Sequence, residues 1–130
     1  MKQNPSRPTP AELEILRVIW RRGPSTVREV HESLDNSRDT GYTTVLKLLQ
    51  IMAEKGLVAR DESARAHVYR AQVEETATQR LMVRELLDRA FGGSAGQLVM
   101  QALSTRRATP DEIVGIRRLL DEMETTGGKR

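Results

Sequence analysis

Apolar positions in this chain recur at helical spacing over most of its length and alternate like a strand in one short window. Leu13, Leu16, Ile19 and Trp20 form one stripe with Ile15 beside it. Val27, Val30 and Leu34 form a second, and Val45, Leu48, Leu49 and Met52 a third. Such spacing puts the apolar side chains on a single helix face. Leu57-Val58-Ala59-Arg60 and Ala66-His67-Val68-Tyr69-Arg70-Ala71 are short and β-prone, and the polar tip Asp61-Glu62-Ser63-Ala64-Arg65 between them predicts a hairpin. Alternation alone does not decide whether Val68 or Tyr69 faces inward. Beyond it the helical pattern returns with Ala77, Leu81, Leu86 and Leu87, then a short apolar run from Gln97 to Leu103, then Ile113, Ile116, Leu119, Leu120 and Met123. The predicted order is three helices, a hairpin and three more helices.

Start and stop residues bound these elements. Thr9 is an N-cap, Pro10 opens the first helix and Glu12 closes a capping box. Arg21-Arg22 suit the negative end of the helix dipole, and Gly23-Pro24 stops it. Ser25 or Thr26 caps the second helix, with Glu29 three residues after Thr26, and Asp35-Asn36-Ser37 ends it. The third helix begins near Thr40-Gly41-Tyr42 and runs to Glu54, before Lys55-Gly56. The fourth spans Val73 to Phe91 and is broken by Gly92-Gly93-Ser94-Ala95-Gly96. A loop through Arg106-Arg107 follows the short helix, and Thr109-Pro110-Asp111-Glu112 repeats the opening cap. The expected division is a flexible tail over 1–8, a winged domain over 9–72, a helical arm over 73–124 and a frayed tail over 125–130.

Composition narrows the function. The 130 residues suit one domain with an appended arm, and the 38% hydrophobic content includes no run approaching the ~20 residues of a membrane span. No signal-peptide pattern opens the chain, so a cytoplasmic protein without direct membrane insertion is expected. The chain has no cysteine, which removes disulfides, thiolate metal sites and a cysteine nucleophile. His31 and His67 are the two histidines, and no metal site is expected from them. His31 reads as a helix-surface residue. Charge is uneven: residues 1–72 carry 12 Lys and Arg against 9 Asp and Glu, whereas residues 73–130 carry 9 of each. The whole excess of +3 therefore sits in the first half, as in an anion-binding module joined to something else.

Three helices followed by a hairpin is the order of a winged helix-turn-helix, whose third helix enters the DNA major groove. At ~100° per residue, Val45, Leu48, Leu49 and Met52 fall on one side of that helix and Thr43, Lys47, Gln50 and Glu54 on the other. Tyr42 and Thr44 sit at its N-terminal end; Thr43, Thr44 and Lys47 occupy the first two turns, which reach base edges, and Tyr42 lies where a phosphate would be met. Hydroxyls, an amide and a lysine bond base edges and phosphates, although a merely solvated polar face has the same pattern. Arg60, Arg65, His67 and Arg70 in or beside the hairpin would carry cations towards a phosphate backbone, partly offset by Asp61 and Glu62. The DNA-binding set is thus Tyr42, Thr43, Thr44, Lys47, Gln50, Arg60, Arg65 and His67.

The run Gly41-Tyr42-Thr43-Thr44-Val45-Leu46 through Glu54-Lys55-Gly56-Leu57-Val58, followed by His67-Val68-Tyr69-Arg70-Ala71, resembles the BlaI/MecI/CopY family of penicillinase-type repressors. Thr9-Pro10-Ala11-Glu12-Leu13-Glu14-Ile15-Leu16 with Trp20, and Phe91-Gly92-Gly93-Ser94, extend the resemblance to about residues 9–124. It implies a winged-helix repressor binding an inverted-repeat operator as a homodimer with intertwined C-terminal helices. It also implies relief of repression by proteolysis in that arm, downstream of a membrane-bound sensor metalloprotease, or by copper. Two departures bear on the signal. The copper branch uses a cysteine-rich tail that this chain lacks, and Gln101-Ala102 stand where the β-lactam branch has its cleaved Asn-Phe pair.

The second half points to dimerisation on its own pattern as well. Three amphipathic stripes within ~58 residues make a marginal isolated core. Covering Leu81, Leu86, Leu98, Val99, Leu103, Ile116, Leu119 and Leu120, together with Leu87, against a second copy relieves that, as would packing within one chain. The sequence reading is a mainly α, dimeric, winged-helix transcriptional repressor with no cofactor and no catalysis. A protein–protein adaptor on the same scaffold is the alternative, and it would more commonly expose Leu, Met or aromatic residues on the third helix.

Overall fold

The structure is a computed structural model, and it describes residues 7–34 and 40–127. Six helices and three short strands follow in the order α1 (Pro10–Arg22), β1 (Ser25–Thr26), α2 (Val27–Ser33), α3 (Tyr42–Lys55), β2 (Val58–Asp61), β3 (Val68–Ala71), α4 (Glu75–Ala90), α5 (Ala95–Thr105) and α6 (Pro110–Gly127). The chain forms two compact units, Met1–Arg84 and Glu85–Arg130.

The helix starts follow the capping chemistry. Thr9 Oγ1 accepts from the Glu12 N–H while Glu12 Oε1 accepts from the Thr9 N–H, at 3.2 and 3.0 Å. Thr26 and Glu29 repeat the arrangement for α2, and Thr109 and Glu112 for α6. Each pair satisfies two backbone donors that a helix start leaves without intrahelical partners. Gly56 ends α3 in the left-handed region (φ 86°), which a side chain would resist.

The core of the first unit lies between α1, α2, α3 and the sheet. Ile15, Leu16 and Ile19 of α1 meet Val27 and Val30 of α2, Val45, Leu49 and Met52 of α3, and Leu57, Val58 and Tyr69 of the hairpin. The sheet has the order β1-β3-β2, and both pairings are antiparallel. Strand β1 departs from the sequence reading, in which Ser25 and Thr26 are caps only. Thr26 still caps α2, but the two residues also pair with Tyr69 and Val68, which makes β3 the central strand. Its parity is also settled: Tyr69 is buried in the core and Val68 only half-buried, so the Tyr69 side of β3 faces the helices.

Other boundaries shift by a few residues. Helix α4 begins at Glu75, not Val73, because Val73 is held by its carbonyl, which accepts from Trp20 Nε1 at 3.0 Å. The same contact ties the residues after the hairpin to α1, so the first unit extends past residue 72. Helix α5 is longer at both ends than Gln97–Leu103, since Ser94 caps it through the Gln97 N–H. Helix α6 continues to Gly127 through the segment 125–127 expected to fray. The expected stop of α2 at Asp35-Asn36-Ser37 lies outside the described residues, as do residues 1–6 of the expected N-terminal tail and residues 128–130. No helix among the described residues is long and apolar enough to cross a membrane.

Candidate nucleic-acid interface

Helix α3 has one face in the core and one in solvent. Val45, Leu49 and Met52 are fully buried, and Leu48, expected beside them, is half-buried. Opposite them Thr43, Thr44, Lys47, Gln50 and Glu54 are exposed, and Tyr42 at the start of the helix is 46% exposed. Ile51 also belongs to this outer face, at 40% exposure. The sequence reading assigned it to neither side, although the helical wheel places it next to Thr44 and Lys47. Hydroxyls, an amide, an ammonium and one aliphatic side chain together can meet phosphates, base-edge acceptors and a thymine methyl group.

The start of α3 is built differently from those of α1, α2, α5 and α6, each of which carries a hydroxyl cap. Its N-cap is Gly41 in extended conformation, which supplies no side-chain bond. The first intrahelical bond runs from the Val45 N–H to the Gly41 carbonyl at 3.1 Å. Support comes instead from α2. His31 Nε2 lies 3.0 Å from the Thr40 carbonyl oxygen, and since a carbonyl only accepts, Nε2 carries the proton. The His31 ring also meets the Tyr42 ring edge-on, with centroids 6.0 Å apart at 72°.

In the hairpin, register places Arg60 opposite Tyr69. The Arg60 guanidinium engages the Tyr69 hydroxyl and lies 2.7 Å from Glu62 Oε2. First the Tyr69 bond and then the Glu62 charge hold its pKa above the usual arginine value. Arg60 remains exposed beside the hairpin with its charge paired to Glu62. Asp61 accepts from the Ser63 N–H at 2.9 Å, which closes the tip as an Asx turn. That bond, with a smaller contribution from the Arg70 charge, keeps the Asp61 carboxyl below its usual pKa. Arg65, His67 and Arg70 are exposed on the tip and β3. No group of three or more His, Asp or Glu side chains that could hold a metal ion occurs among the described residues.

The residues expected at a dimer interface divide between the units. Leu81 belongs to the first unit and is half-buried. In the second, Leu98 and Ile116 are half-buried, whereas Leu86, Val99, Leu103, Leu119 and Leu120 are exposed, the last two at 55% and 54%. Met100, Ile113, Val114 and Met123 are exposed as well. Helices α5 and α6 contribute no fully buried apolar residue, so this unit has no closed core of its own. Gln101 and Ala102 are exposed in the middle of α5.

Residues 8–122 match the family model described as penicillinase repressor. The chain is similar to transcriptional regulator BlaI of Mycobacterium tuberculosis, with 36% identity over 121 residues, 92% of this chain and 86% of that protein. It is similar to the penicillinase repressor of Bacillus licheniformis at 25% identity, covering 86% and 88% of the two chains. The methicillin resistance regulatory protein MecI of Staphylococcus aureus is 21% identical over 86% of this chain and 91% of its own. A mainly helical chain with a three-stranded wing, matched over nearly its whole length in this way, belongs to the penicillinase repressor family, whose members are transcriptional repressors.

Proposed function

We propose that two copies of this chain bind an inverted-repeat DNA operator and repress transcription from it, with α3 in the major groove and the β2–β3 hairpin on the backbone. The observation that carries this reading is the two-faced α3. Its inner side is fully buried at Val45, Leu49 and Met52, and its outer side exposes Thr43, Thr44, Lys47 and Gln50. A helix held this firmly from behind and polar in front is suited to reading base edges without rearrangement. Tyr42 and Ile51 are the large apolar side chains on this exposed face, and the polar Thr43, Thr44, Lys47 and Gln50 outnumber them, whereas a protein–protein adaptor would favour Leu, Met and aromatic residues there.

The dimer part of the proposal rests on the second unit. Most of its large apolar residues are exposed in a single chain, and a groove of about 550 Å³ along α5 and α6 is lined by Leu103, Ala108, Ile116 and Leu119 together with Arg106, Arg107 and Glu112. Exposed apolar surface of this extent marks an interaction site, and a second copy supplies matching stripes. Relief of repression by proteolysis of this arm, downstream of a membrane-bound sensor metalloprotease, belongs to the same reading. Gln101 and Ala102 are helical, so cutting between them requires α5 to open locally before a protease can bind the strand it needs.

Selection from a randomised duplex library tests the proposal. The expected product is a palindrome whose half-sites lie one helical turn, about 10–10.5 base pairs, or a multiple of it apart. Enrichment of nothing at all favours the adaptor, and enrichment of a lone half-site by a monomer removes the dimer.

A further inference from the structure

We propose that His31, on α2, is the positioning residue that sets the recognition helix for sequence-specific binding without itself touching DNA. The proposal rests on the DNA-binding reading above and deepens it. Four of the other helices start with a hydroxyl cap from their own chain segment, and α3 does not. A helix with glycine at its N-cap has no side chain that accepts from the amides of its first turn. His31 supplies the missing constraint from outside through two contacts. Its Nε2–H holds the carbonyl of Thr40, the residue before the N-cap, and its ring packs against Tyr42, the first residue of the helix. The two contacts bracket Gly41. They therefore fix both the position of the chain before the helix and the rotation of its first turn.

The consequence concerns specificity more than stability. His31 is only half-buried, and the core behind α3 is complete without it. A loosened first turn would still carry Lys47 and the wing arginines to phosphates, but would misplace Thr43 and Thr44 relative to base edges. Base readout depends on angstrom-scale placement, whereas phosphate attraction is long-ranged and tolerant.

The test uses the full-length protein as His31→Phe, which keeps a ring against Tyr42 and removes the donor, and His31→Gln, whose amide can replace that donor. Amide hydrogen exchange is read at Val45 and Leu46, the first intrahelically bonded amides of α3, in the absence of DNA. Affinity is then read on the duplex enriched by the wild type and on a scrambled duplex. His31→Phe should raise exchange at both amides about fivefold, the loss expected of one hydrogen bond, with little change in Tm. It should weaken binding to the enriched duplex by a similar factor and leave the scrambled duplex unaffected. His31→Gln should restore most of both. Unchanged exchange in His31→Phe overturns the proposal, and so does an equal loss on both duplexes accompanied by a lower Tm, which is the mark of a structural residue. If the wild type prefers no duplex while exchange still responds as described, the positioning of α3 stands and the operator reading falls.

Discussion

Lys55 in the last turn of α3 closes onto Glu12 in the first turn of α1, with Nζ 2.8 and 3.0 Å from the two carboxylate oxygens across 43 positions of sequence. Glu12 is buried, and its Oε1 also accepts the Thr9 N–H of the capping box. One carboxylate thus starts the first helix and fastens the end of the recognition helix to it. Capping glutamates are usually solvated, so here a local device also serves the tertiary structure.

The two partners of this pair should respond unequally to mutation. Lys55→Met leaves a buried carboxylate without its cation, and because Lys55 retains some solvent contact the expected loss is about 2–3 kcal/mol, below that of a fully buried pair. Glu12→Gln retains a capping side chain and lets Lys55 turn to water, so its cost should be nearer 1 kcal/mol. Urea unfolding of both variants measures the difference. Equal losses would mean that the charge pairing adds little to the cap.

DNA affinity should fall steeply with salt. If two copies together make ~6–10 phosphate contacts, the slope of log affinity against log salt is on the order of −5 to −9. Fluorescence anisotropy on the enriched duplex between low and moderate salt reads it directly. A slope near zero is incompatible with a cationic wing on the backbone.

Lys47 and Arg65 should fail in different ways. Lys47→Ala, on the outer face of α3, should cost ~1–3 kcal/mol and relax preference at particular base positions. Arg65→Ala, at the exposed tip of the hairpin, should weaken all sequences about equally and reduce the salt slope by about one unit. Repeating the duplex selection with each variant separates them. Identical sequence logos for wild type and Lys47→Ala would leave Lys47 as a phosphate anchor only.

Charge on α6 should dissolve the dimer while sparing the first unit. Leu119→Asp or Leu120→Asp puts a carboxylate where the partner's apolar stripe would cover it, at several kcal/mol when buried and unpaired. Sedimentation should show monomers with weak duplex binding. Emission from Trp20, whose indole is fixed to the Val73 carbonyl, should stay as in the wild type. Persistent dimers at micromolar concentration would place the interface elsewhere.

Much of the architecture was legible in residues that act on neighbours three or four positions away. Thr9 with Glu12, Thr26 with Glu29 and Thr109 with Glu112 form their capping boxes as spaced, and the stripe of Val45, Leu49 and Met52 faces the core as its period requires. The outer face of α3 followed from the same period by elimination. Such features depend on backbone geometry alone, which repeats identically wherever the local pattern occurs.

Contacts between distant segments needed the folded chain. Whether Val68 or Tyr69 faces inward depends on which side of the sheet the helices cover, and β1, a strand of two residues, is too short to show any alternation. The placing of Arg60 opposite Tyr69 depends on the register of β2 against β3. Ser94 as the cap of α5 was obscured by the glycines around it, which read only as a break. Lys55 on Glu12, His31 on Thr40 and Trp20 on Val73 join residues 43, 9 and 53 positions apart. No period or spacing encodes such pairs, because each forms only where packing of the apolar faces happens to bring a donor within reach of an acceptor.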